Sequence, residues 1–114
     1  KIFDRLRAET ITVMFMTPNM LNTAVSEDTA EGLKEYAAKT ADYQNSGKMD
    51  EFMNSVKRLC GEYSIPVCDC YSKWKQLSDL GADTNLLLAN RINHPLPQMH
   101  ELFADFLFDT IFFD

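Results

Sequence analysis

Two short apolar runs, residues 11–16 (ITVMFM) and 65–71 (IPVCDCY), are the strand-like segments of the chain, and the stretch between them reads as helix. Runs that are β-branched and apolar on both faces read as interior strands of a parallel sheet. Thr17-Pro18-Asn19 ends the first run, and Pro66 stands at the start of the second, where a missing N–H is tolerated.

A loop over residues 19–27 leads to a helix that Ser26, Asp28 or Thr29 can cap, with Leu33, Tyr36, Ala37, Thr40 and Ala41 at helical spacing. Asn45-Ser46-Gly47 stops it. The next helix carries the cleanest amphipathic stripe: Met49, Phe52, Met53, Val56, Leu59, Cys60 and Tyr63. After the second run, Ser72 is placed to cap a short helix with Trp74, Leu77 and Leu80, closed by Gly81, and Asp83 to cap a turn through Leu86, Leu87 and Leu88. A last helix runs over 97–113 from Pro97 and turns Met99, Leu102, Phe103, Phe106 and Thr110 inward.

The order β-α-α-β-α-α implies an α/β chain with a parallel sheet and right-handed crossovers. Two strands are few against a mean sheet of about five or six, and these helices carry more apolar surface than two strands bury. The remaining strands are therefore expected in an N-terminal portion preceding Lys1, since the chain opens without methionine and leads quickly into a buried strand.

Charge narrows the function classes. Eleven Lys and Arg against 17 Asp and Glu give a net charge of −6. No basic stripe exists to neutralise phosphates or an anionic membrane surface, so neither nucleic acid nor membrane is an expected partner. No run is apolar and long enough to span a bilayer, and no signal peptide is expected. Cys60, Cys68 and Cys70 lack the paired spacing of a zinc site and are too few for a disulfide framework. They read as buried reduced thiols, which points to a cytoplasmic setting.

Chemistry in doubly wound sheets gathers beyond the carboxyl ends of the strands. Three segments can reach that edge, and they bring Asn19, Asp69, Asn93 and His94 as candidates. His94 lies on a short loop before Pro95, ahead of the last helix; it reads as a titratable catalytic group or as a polar residue that caps the turn. Asp69 reads as a structural acceptor of loop amides, and His100, in the first turn of the last helix, as a structural residue. Ser72 is the one serine near a strand end.

Residues 87–95 (LLANRINHP), followed by 99–104 (MHELFA), resemble the last block of the SGNH/GDSL hydrolases, and residues 13–19 and 65–74 resemble late strands of the same family. The resemblance covers essentially the whole chain as the C-terminal part of one such domain. It implies a three-layer α/β/α sandwich of flavodoxin-like type with a central parallel sheet. It also implies a serine esterase that cleaves a small-molecule carboxylic ester, such as an acylated sugar, through an acyl-enzyme, with no metal or organic cofactor. The family's histidine carries over onto His94. Its Gly-Asp-Ser nucleophile block and its oxyanion blocks have no counterpart here, so the missing N-terminal half is the expected intramolecular partner and the chain alone is expected to be inactive. Arg91 occupies the position that holds an aspartate in the family, and Arg cannot accept a proton from an imidazole. Asn90, a backbone carbonyl or Asp69 are the alternative orienters. Two non-catalytic readings stand beside the enzyme: a binding module on the same fold, and a small α/β interaction domain.

Overall fold

The computed structural model describes residues 1–113. Helix α1 (Ile2–Ala8) leads to strand β1 (Phe15–Met16), and a 3₁₀ turn (Glu31–Leu33) precedes α2 (Lys34–Asn45). Helix α3 (Lys48–Glu62), strand β2 (Val67–Cys68) and α4 (Cys70–Asp79) follow. A second 3₁₀ turn (Thr84–Leu87) and α5 (Pro97–Phe113) complete the order. No helix among the described residues is long and apolar enough to cross a membrane.

The expected three-layer α/β/α sandwich is not what forms. Helix accounts for 60% of the chain and strand for 5%, with one two-stranded sheet. The strands do run parallel, in register Phe15 with Val67 and Met16 with Cys68. Each is only two residues long, however, against the six- and seven-residue runs of the sequence. Burial explains the shortfall. Ile11 and Met16 are exposed, so the first run is not an interior strand. The core cluster consists of Met20, Met49, Met53, Tyr71, Trp74, Leu88 and Met99, none of which lies in a strand. Helices α3, α4 and α5 and the loops beside them assemble that core, and the strand pair adds to the buried interior only through Cys68 of β2.

Local chemistry accounts for the helix boundaries. Gly47 joins α2 to α3 with φ of 84°, a left-handed conformation that glycine adopts without steric cost. Helix α4 is capped by Asp69, whose side chain accepts from the Ser72 N–H, rather than by Ser72 itself. It ends where Gly81 takes φ of 96°. Asp83 caps the second 3₁₀ turn through the Asn85 N–H. The α3 stripe buries only Met49, Met53 and Cys60 and leaves Phe52 and Leu59 exposed. Helix α5 buries Met99 alone; Leu102, Phe103 and Phe106 are half-buried, and Phe108, Ile111, Phe112 and Phe113 are exposed.

The shape follows from this distribution. The radius of gyration is 15.8 Å, whereas a compact domain of this length has about 13 Å. The molecule measures 48 × 27 × 24 Å. Helix α1 buries no residue, and the C-terminal half of α5 is largely exposed.

Candidate active site

Asn90 organises the His94 loop. Its Oδ1 accepts the backbone N–H groups of Ile92, Asn93 and His94, each at 3.0 Å. The loop is closed at both ends, by Ala89 N donating to His94 O at 2.6 Å and Leu96 N donating to Leu87 O at 2.8 Å. Beneath it, Leu88 and Ile92 are fully buried, which fixes the backbone on either side of the histidine. His94 itself stays exposed on this support.

Those three bonds also fix the Asn90 amide. With Oδ1 committed to N–H donors, Nδ2 faces the other way, 2.9 Å from Asn93 Oδ1 and 3.0 Å from His94 Nδ1. Asn93 Oδ1 lies 2.5 Å from His94 Nδ1. Two lone-pair atoms at that separation repel unless a proton lies between them, so the shorter Asn93 contact favours the proton of neutral His94 on Nδ1 over the competing arrangement in which Asn90 Nδ2 donates to a bare Nδ1. Nε2 is then the unprotonated nitrogen, and it makes no hydrogen bond within the described residues. This is the tautomer a general base requires. Asn93 orients the ring without the full charge that a carboxylate would bring to the imidazolium.

Arg91 plays a different part from the acid whose place it takes in the family pattern. It adopts φ of 60°, unusual for a residue with a side chain. Its guanidinium donates to Asp28 Oδ2 at 3.0 Å and to the carbonyls of Leu86 and Leu88 at 3.2 and 2.8 Å. Hydrogen bonding from Ser26, opposed by slight burial and joined by the Arg91 bond, holds the Asp28 carboxyl below its ordinary value. Arg91 thus staples the turn and points away from the imidazole.

The other candidates divide into two groups at the carboxyl ends of the strands. Asn19, buried just past β1, donates from Nδ2 to Met20 O at 2.7 Å and to Asn93 O at 3.1 Å, which ties the strand edge to the histidine loop. Asp69, just past β2, meets Thr17 instead: Thr17 Oγ1 donates to its Oδ1 at 2.9 Å. Ser72 Oγ and Lys57 Nζ donate to its Oδ2 at 2.7 and 2.9 Å. Burial raises the Asp69 carboxyl, but the bonds from Ser72, Lys57 and Thr17 outweigh it and leave the group below its ordinary value. It is a structural acceptor with every oxygen engaged by this cluster, and its partners do not include His94. Asn19, Asn90, Asn93 and His94 are therefore brought together, and Asp69 stands apart.

Several residues that support the site carry no local signal in the sequence. Thr17 is 1% exposed and bridges the strands, accepting from the Tyr71 N–H as it donates to Asp69. Asn22 is fully buried; its backbone N donates to Ile92 O at 2.9 Å, and its side chain bonds Ala24 O, Ala37 O and Thr40. It links α2 to the loop below His94. Only the polar Asn19-Met20-Leu21-Asn22 spacing hints at this pair, and nothing nearby shows what each would bond.

No serine, threonine or cysteine among the described residues hydrogen-bonds His94. Ser72 is engaged by Asp69, and His100 sits on the exposed side of α5 with its ring edge toward Phe103. Cys60, Cys68 and Cys70 are free and buried. Burial, together with the adjacent Cys68 thiol, pushes Cys70 up to about 12, so it is neutral and unreactive near pH 7. Among the described residues no group of three or more His, Cys, Asp or Glu could hold a metal ion. Comparison with protein-family models, curated proteins and solved structures finds no match to this chain.

Proposed function

We propose that the chain supplies the general-base histidine of a serine-type ester hydrolase. The observation that carries the proposal is the contact of His94 Nδ1 with Asn93 Oδ1 at 2.5 Å, on a loop pinned by Asn90, with Nε2 left uncommitted. A nucleophilic serine from polypeptide outside residues 1–114 attacks the ester carbonyl as Nε2 takes its proton. The tetrahedral intermediate collapses, and the leaving alkoxide takes that proton from Nε2. Water then repeats the sequence on the acyl-enzyme, releasing the acid and restoring the serine. Oxyanion donors come from the same outside polypeptide, since Asn19 Nδ2 is spent on two carbonyls.

Exposed apolar surface on α1, β1 and α3 fits burial by that polypeptide. An apolar groove of about 680 Å³ there is lined by Phe3, Leu6, Val13, Phe15, Val56 and Leu59 among others. Free buried thiols suit a cytoplasmic setting. A small carboxylic ester is the substrate class in keeping with a histidine that is open to solvent.

The test is turnover of p-nitrophenyl acetate by the full-length protein and its His94→Ala variant. The variant is expected to lose roughly three orders of magnitude or more in kcat with folding intact. Undiminished turnover would remove His94 from the mechanism.

A further inference from the structure

Helices α4 and α5 diverge around an apolar groove of about 320 Å³, walled by Trp74, Leu77, Leu102, Phe103 and Phe106. Trp74 and Phe103 have ring centroids 5.7 Å apart. Lys73 is the one charged residue of the lining, with Nζ 4.7 Å over the Phe106 ring. Among the described residues it forms no ion pair with a carboxylate, although the chain is strongly acidic. Trp74 is 1% exposed, and its indole Nε1–H has no acceptor among the described residues. A buried indole N–H ordinarily finds one. The lining therefore holds one cation, Lys73, and one neutral polar side chain, Gln76, in an otherwise apolar surface.

From these features we infer that the α4–α5 groove binds a medium-chain fatty carboxylate. The alkyl chain lies against Trp74, Leu102 and Phe103, and the carboxylate meets Lys73 at the rim. The volume stands at the small end of ligand pockets, which suits a medium rather than a long chain. The cation selects the acid over a neutral alcohol of the same length. This site does not depend on the role of His94.

Trp74 is the single tryptophan of residues 1–114, so in this chain its emission reports the groove directly. The chain is titrated at low salt with decanoate below micelle-forming concentration, and separately with decanol. A saturable change with one-to-one stoichiometry is expected for both. Lys73→Gln, a substitution at an exposed position, should weaken decanoate about fivefold and leave decanol unchanged. No saturable response to decanoate overturns the inference. So does equal decanoate affinity in the wild type and Lys73→Gln. An emission change that follows protein concentration and not ligand would assign the groove to a second copy of the chain and overturn it as well.

Discussion

Replacing Asn90 by alanine separates the loop's architecture from the histidine it presents. The change removes the single oxygen that accepts from Ile92, Asn93 and His94. The Ile92 and Asn93 bonds are partly shielded from solvent, whereas the His94 N–H can turn to water. Two shielded donors left without an acceptor cost about 1 kcal/mol each, so Asn90→Ala should lose about 2 kcal/mol. For a chain of this size that corresponds to a drop in Tm of about 8 °C. Urea denaturation at neutral pH should show a lower midpoint with an unchanged slope, and amide exchange should accelerate at Ile92 and Asn93 first. Asn90→Asp keeps the acceptor oxygen and should stay within about 1 kcal/mol of the wild type. A loss below about 0.5 kcal/mol in the alanine variant, or equal losses in both variants, would refute the assignment of Asn90 as the loop's anchor.

Arg91→Asp should not create a catalytic acid. It removes the donor to Leu86 O and Leu88 O and sets a second carboxylate beside Asp28, so thermal denaturation should show a destabilisation of about 1–2 kcal/mol; an increase in ester turnover would count against the turn-staple role. Acid should weaken the molecule through Asp69 and Asp50. Burial raises both carboxyls, but hydrogen bonds from Ser72 and Lys57 to Asp69, and from Lys75 and Tyr71 to Asp50, leave each below its ordinary value. A depressed carboxyl contributes stability that is present above the unfolded value of about 4 and is lost as pH falls below it. Stability measured by urea titration should thus fall below about pH 4, and Asp69→Asn should flatten that limb; an unchanged acid limb in the variant would contradict the account.

What could be read from the sequence depended on how local the governing interaction was. The last helix begins at Pro97 as its first-turn proline indicates, and Gly47, Gly81 and Asp83 stop or cap elements where local backbone chemistry dictates. The strands failed the same reading because an apolar run states only that surface must be buried, not what buries it. Here Met20 and Leu88, both outside helices and strands, take core places that strand residues were expected to fill. The site shows the same division. Asn90, Asn93 and His94 are close in sequence and meet through one turn. The Asn19 bond to Asn93 spans 74 residues and depends on the fold. Arg91 was legible as a departure from the acid, but its left-handed backbone and its grip on two carbonyls were not.

The central claim is that this loop holds His94 with Nδ1 protonated on Asn93 and Nε2 free to accept a proton. Long-range proton–nitrogen correlation spectra of the neutral imidazole test it directly. Nδ1 is predicted to give the signal of a protonated ring nitrogen and Nε2 that of an unprotonated one, with the preference lost in Asn93→Ala. A neutral ring that carries its proton on Nε2 would contradict the account.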